Sequence, residues 1–380
     1  MRYQRKGHER TITGRRKKMK AWRVYGRGDI RLEEVPIPAP GPGTVLLRVR
    51  MLQLSVTEAS LLLEGDLAAR KWEERCREHG PLQMFGHEFS GEVVEVGAGV
   101  KDLMAGDRVF WGRMIPCGEC AICKAGHGAL CLKGPHLGTD TSGCLAEYAV
   151  VPAAFLVKVP ETVTDSETAA LEPLFATFVH VAAAGISIGD TVAILGQGVM
   201  GLNCLQLVRF LGAGKVIVTD IRSELLDLSH RLGADITIDA ASCDPAGSIL
   251  EATGGVGADI VFDCAGGNPK FGLAGSATLA TAATVVRDCG TIIVVGLQVT
   301  GGIGLDTAPL SRGVRYKSVR ICSDKEVAWM VGLVASKRIN LAPLITHTLE
   351  GIESMKQAFE MTANKRKYGA INPPQVRLVR

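Results

Sequence analysis

The stretch Thr191-Val192-Ala193-Ile194-Leu195-Gly196-Gln197-Gly198-Val199-Met200-Gly201 runs an apolar strand into three glycines and then into a helical segment that continues to Phe210. The glycines sit where a dinucleotide fingerprint needs them: Gly196 for a tight turn, Gly198 for backbone approach to the pyrophosphate, and Gly201 for packing helix on strand. Val199 and Met200 open the helix, whose N-terminus offers free N–H groups and the positive end of its dipole to phosphate. Nineteen residues beyond Gly201, Asp220 ends the next apolar run, the place for a carboxylate that binds the ribose hydroxyls. A carboxylate there repels a 2′-phosphate, so NAD is favoured over NADP. Arg222 is the one nearby group that would offset this repulsion; it also reads as a solvated charge or an adenine-stacking side chain.

Outward from this turn, an Ala-rich helix precedes it, from about 170 through 184. Apolar strands at 191–195, 215–219, 259–264 and 291–296 then alternate with helical stretches, the mark of a parallel, doubly wound sheet. Between 19 and about 160 the pattern changes to short strands broken by Gly and Pro, at 19–24, 45–54, 92–96, 108–111 and 146–151. After Arg320 come a helix at 324–337, a strand-like run at 344–349, a helix at 351–364 and a final strand at 375–379. The expected fold class is α/β with a second, β-rich domain, and 380 residues suffice for two cores.

The formal charge of +4 comes largely from one place, since residues 1–18 hold eight Lys/Arg against one Glu. This leader has no apolar core of a secretory signal and reads as a disordered basic tail or as an extension ahead of Met19. With the basic excess in one tail and aromatics at 5%, no nucleic-acid partner is expected. The most apolar stretch, 169–188, is interrupted by Glu172, Pro173 and His180, so no membrane partner is expected either.

Of 11 cysteines, seven are scattered singly, while Cys117, Cys120, Cys123 and Cys131 fall within fifteen residues. That usage fits a reducing, cytoplasmic compartment and one metal site. Four thiolates on one loop can close a tetrahedral zinc site with no position left for water, hence a structural one. A bacterial iron–sulfur run wants a shorter last gap and a Pro after the last Cys, where this chain has Leu132. Four free thiols in one loop would be an oxidation liability.

Gly86-His87-Glu88, the four-cysteine lobe, Leu171-Glu172-Pro173, the glycine fingerprint and Leu344-Ile345-Thr346-His347 together resemble the zinc-dependent medium-chain dehydrogenases/reductases, the alcohol dehydrogenase family, and within it the polyol and butanediol branch. The resemblance covers the chain from Met19 onward. It implies a GroES-like catalytic domain over 19–170, completed by 321–380, around a Rossmann NAD-binding domain over 171–320, in a homodimer or homotetramer. It further implies oxidation of a small-molecule alcohol by NAD at a catalytic zinc, which lowers the pKa of the alcohol so that hydride leaves toward the nicotinamide. His87, Glu88 and Glu172 match the family's ligand-bearing positions. In the polyol branch the paired Glu residues bind the metal directly or through water.

One departure stands out. Where the family has a cysteine as first zinc ligand, this chain reads Gln53-Leu54-Ser55-Val56-Thr57-Glu58, so Ser55 replaces a thiolate with a poor ligand. Thr57 nevertheless holds the position that relays the alcohol proton, and Glu58 the position of an acid that orients the zinc histidine. The charged helical stretch 67–78, in the segment between Ser55 and His87, is expected to border the substrate cleft. Cys76 within it, flanked by Arg75 and Arg77, is expected on a surface helix and not at the metal. The rival readings are a zinc-free reductase acting on enones or quinones, against which Gly86-His87-Glu88 and the cysteine lobe speak, and a non-catalytic NAD-binding protein.

Overall fold

The computed structural model describes residues 17–63, 67–131, 133–266, 274–296, 308–320 and 322–379; the leader expected over 1–18 lies, up to residue 16, outside them. Its last residue is structured, because the first strand, Lys18–Gly26, begins one position ahead of Met19 and pairs antiparallel with Asp29–Pro36. Alternation explains that strand: Met19, Ala21, Trp22 and Val24 are buried, and Trp22 Nε1 donates to the Ile352 carbonyl at 2.8 Å.

Two larger sheets organise the rest. One has six parallel strands in the spatial order Ile236–Asp239, Lys215–Asp220, Thr191–Leu195, Ala258–Asp263, Val286–Val294 and Arg315–Lys317. That is the doubly wound order, and its reversal point falls between Thr191–Leu195 and Ala258–Asp263. Val192, Ile194, Val216, Val218, Ile260 and Phe262 are buried on one face, against the helices Leu171–Ala184 and Val199–Phe210. The other sheet is built on the strands Thr44–Gln53 and Glu88–Val96, antiparallel to each other, and includes Arg108–Trp111 and Leu156–Lys158. The chain returns to it at the end, when Gln375–Arg377 pairs antiparallel with Thr44–Gln53 and parallel with Thr348–Glu350.

Two expectations are corrected here. The run 344–349 is not one strand: Leu344 belongs to a 3-10 turn at Ala342–Leu344 with Pro343 in it, and only Thr348–Glu350 pairs as a strand. The helix Leu67–His79 does form, but Cys76 is not on its surface: Trp72 and Cys76, four residues apart, share the face turned to the core. Trp72 meets Phe85 edge-on at 5.9 Å, and the Cys76 thiol donates to the Val24 carbonyl at 3.4 Å. The buried face of this helix braces the β-rich core. Among the described residues no helix is long and apolar enough to cross a membrane.

Candidate active site and metal centres

His87 is delivered by a backbone turn that most residues avoid. Phe85 (φ 60°) and Gly86 (φ 78°) are both left-handed, and a Cβ on Gly86 would lie 2.8 Å from the backbone nitrogen of Leu145. Phe85 is held in that conformation from both sides, its N–H donating to Gly138 and its carbonyl accepting from Cys144, each at 2.8 Å. The next residues, His87 and Glu88, are thereby set at the start of the strand Glu88–Val96.

Glu172 comes from the first turn of the helix Leu171–Ala184, where a negative charge suits the dipole. Leu171, Leu174, Phe178 and Val181 bury one face of this helix, while Glu172, Phe175, Ala176, Val179 and His180 form the other and line a cavity of about 250 Å³. Trp111 and Val327 contribute to the opposite wall. One ligand atom from each of His87, Glu88 and Glu172 lies within 4.8 Å of the others, and Glu172 joins this cluster to the cavity it lines.

His87 is oriented from behind. Glu58 Oε1 stands 2.5 Å from His87 Nδ1 and also accepts from the His87 backbone N–H at 3.2 Å, leaving Nε2 to face Glu172 Oε2 at 4.0 Å. Burial works against a charged imidazole, yet Glu58, Glu172 and Glu88 push the His87 pKa up to about 10. Burial and then the Glu172 charge raise Glu88 to about 8, and burial raises Glu172. Two carboxylates with an imidazole in a buried pocket are an oxygen-rich donor set, and a divalent cation between them would offset the burial that raises these acids. The residues fit a catalytic zinc.

Ser55 has a structural task at its position. Its Oγ accepts the Glu58 backbone N–H at 3.0 Å and so caps the helix Val56–Leu63, which carries Glu58 inward and leaves Thr57 exposed on the first turn. The structure also brings in residues that no motif announced. The His87 ring meets Trp111 edge-on at 5.2 Å and His136 at 5.6 Å. Burial and the neighbouring His87 lower the His136 pKa to about 4, so this second histidine stays neutral. His180 places Nδ1 2.6 Å from the Ala176 carbonyl, which can only accept; Nδ1 therefore carries the proton and Nε2 is an acceptor.

The four cysteines converge as spaced. Sulfur separations of 3.4 Å for Cys120–Cys123 and 3.9 Å for both Cys117–Cys123 and Cys120–Cys131 bracket the roughly 3.8 Å edge of a tetrahedron with Zn–S bonds of about 2.3 Å. Backbone N–H groups of Cys117, Cys120 and Cys123 donate to the sulfurs of Cys131, Cys117 and Cys120, and the first of these lowers the Cys131 pKa to about 6. Burial and the neighbouring sulfurs push Cys123 up to about 12, a crowding that a cation among the four sulfurs would relieve, so the loop fits a closed zinc site.

At the dinucleotide turn the three glycines differ in what surrounds them. A Cβ on Gly196 would lie 2.7 Å from Ala265 Cβ and one on Gly201 1.9 Å from the Gly196 oxygen, whereas at Gly198 it would meet nothing. The first two are demanded by the fold; the third leaves open the space a pyrophosphate needs beside Val199 and Met200 at the helix start. Asp220 accepts from the Gln197 N–H at 2.6 Å and the Arg222 N–H at 2.9 Å, which fixes its carboxylate beside that turn. The Arg222 guanidinium is committed elsewhere, to Glu224 at 2.8 Å and the Ala370 carbonyl at 3.2 Å.

A doubly wound dinucleotide sheet joined to a β-rich sheet, with a buried His–Glu–Glu cluster and a four-cysteine loop, defines the class of a dinucleotide-fold oxidoreductase. Comparison with known proteins makes this specific. Residues 41–161 match the alcohol dehydrogenase GroES-like domain and 199–336 the zinc-binding dehydrogenase domain, together more than half of the chain. The chain belongs to the zinc-dependent medium-chain dehydrogenase/reductase family. It is 28% identical over 333 residues to an L-threonine 3-dehydrogenase of Francisella tularensis subsp. novicida, covering 87% of this chain and 92% of that one. A zinc-binding dehydrogenase from Sinorhizobium meliloti bound to NADP superposes with a TM-score of 0.81 at 28% identity, over 95% of this chain and 100% of that one. The alcohol dehydrogenase of Thermus sp. ATN1 superposes with a TM-score of 0.77 at 25% identity, over 95% and 100%.

Proposed function

We propose that the chain is an NAD-linked, zinc-dependent dehydrogenase that takes hydride from a secondary alcohol, diol or polyol and yields a ketone. The observation that carries this reading is the convergence of His87, Glu88 and Glu172, the last of which lines a cavity whose wall is largely apolar. A zinc ion held by these residues supplies the Lewis acidity that lowers the pKa of the substrate hydroxyl. Glu58 keeps the His87 imidazole aimed at the site, and Phe175, Val179 and Val327 exclude water from the reacting carbon. Thr57, exposed at the start of its helix, passes the alcohol proton toward the cofactor ribose. Asp220 binds that ribose, and its charge disfavours a 2′-phosphate, which supports NAD although the Sinorhizobium relative holds NADP. The four-cysteine loop holds a second, structural zinc.

The test is metal analysis together with turnover of a panel of secondary alcohols, diols, polyols and L-threonine, each with NAD and with NADP. The expected result is two zinc ions per chain and oxidation of at least one panel member with NAD preferred. A chain that carries two zinc ions and a bound cofactor but turns over no panel member overturns the substrate assignment.

A further inference from the structure

Glu88, Gln53 and Gln375 stand opposite one another on three adjacent strands. Gln53 is the register partner of Glu88 across one ladder and of Gln375 across the next. Residues opposite one another in a sheet share a face, so the three side chains form a file, and all three are buried. Buried amides must satisfy their groups, which lets the direction of each hydrogen bond be worked out from one end.

That end is the Ser166 carbonyl, which can only accept. The Gln375 group 2.8 Å from it is therefore the amide nitrogen, and the Gln375 oxygen takes the Ser166 hydroxyl at 2.5 Å. The same nitrogen donates its other hydrogen to Gln53 Oε1 at 3.1 Å, where Asn372 Nδ2 also donates at 3.1 Å. With its oxygen engaged twice, Gln53 turns its nitrogen on Glu88 Oε2, 2.5 Å away. No amide in this chain can flip without setting two donors or two acceptors against each other.

We infer that Gln53 is a positioning residue for the metal centre: it holds the Glu88 carboxylate as an acceptor in one orientation beside His87 and Glu172, and through Gln375 it couples metal affinity to the seating of the C-terminal strand. This rests on the metal site proposed above. A neutral amide suits the task. It donates to the carboxylate without bringing a cation that would compete with the metal for the same charge.

The experiment compares wild type, Gln53→Leu and Gln375→Leu after loading with zinc and, separately, with cobalt(II). Zinc per chain is followed during challenge with a chelator, and the visible cobalt absorption reports the geometry at the His87 site. The four-cysteine zinc, remote in kind, serves as the internal control for folding. Gln53→Leu is expected to release the catalytic metal at least about tenfold more readily and to shift the cobalt spectrum, with Gln375→Leu changing both in the same direction by less. Variants that keep the cysteine-bound metal but match wild type in chelator resistance and cobalt spectrum overturn the relay. If Gln53→Leu does not fold, Gln375→Leu decides by the same two readouts. A wild-type chain that holds only the cysteine-bound metal overturns the proposed function as well, which separates the two failures.

Discussion

Glu58 Oε1 lies 2.5 Å from Nδ1 of His87, with both side chains almost wholly buried. A histidine whose ring proton is held by a carboxylate presents its other nitrogen in a fixed direction and as a stronger donor to a metal. Glu58→Gln keeps a hydrogen-bonding group of the same size but removes the charge. It should weaken catalytic metal retention by about 10- to 100-fold, read by chelator titration, with the four-cysteine zinc unaffected. Unchanged retention would show that the pair serves packing alone.

Ser55 acts on the helix as its cap, and through Glu58 on the site. Removing a serine cap costs about 1 kcal/mol, so Ser55→Ala should lower the unfolding midpoint and loosen the metal modestly as Glu58 drifts. Ser55→Cys should tighten the metal without raising turnover, because added thiolate donation weakens zinc as a Lewis acid. Equal chelator resistance of wild type and Ser55→Cys would mean that position 55 does not reach the metal.

Asp220 is anchored by two backbone N–H groups beside the glycine turn. Asp220→Gly removes the ribose acceptor and the charge that excludes phosphate. Loss of a charged hydrogen bond, worth about 1.5–3 kcal/mol, predicts a shift in the NAD/NADP preference of about tenfold or more toward NADP. Cofactor dissociation constants for both nucleotides are the measurement, and an unchanged ratio would assign the discrimination to another group.

Cys120 both belongs to the sulfur cluster and caps the short helix Ala121–Lys124. Cys120→Ala should abolish binding of the structural zinc and lower thermal stability, while folded survivors still bind NAD. Zinc analysis of Cys120→Ala in a His87→Ala background should give less than one ion per chain; a full equivalent there would place the metal elsewhere.

Asp165 ties three strands together, accepting from Arg50 at 2.8 Å, Ser90 at 2.8 Å and Arg108 at 3.0 Å. Burial opposes ionisation, yet Ser90 and the two guanidiniums hold its carboxyl below the usual range. A depressed folded pKa means stability that is present above the unfolded value of about 4 and lost as pH falls through the folded one. Asp165→Asn should therefore cost about 1–2 kcal/mol at neutral pH, and the gap in unfolding midpoint should narrow below about pH 4 and close once pH has fallen through the lowered folded value. A gap that persists there would mean that the aspartate contributes by shape and not by charge.

What could be read from the residues in order was whatever short spacing imposes. The glycine turn and the four-cysteine loop are each carried by neighbouring residues, so their chemistry follows from local geometry, and the alternating strands behind them determine a doubly wound sheet. Glu58 was legible only by its place in a family pattern. The remainder depended on contacts that no local pattern encodes. Gln53 meets Gln375 across 322 positions because two strands pair in one register, and a shift of one residue would have sent either side chain to the opposite face. Cys76 looked solvent-borne among charged neighbours until the helix's orientation against the β core turned it inward together with Trp72. His136 and His180 carry no motif, and it is the packing of a loop against Trp111 and of a helix face along the cavity that makes them part of the site. Residue type and spacing thus determined which groups could bind metal and nucleotide, whereas register and core packing alone decided which of them meet and which way each proton points.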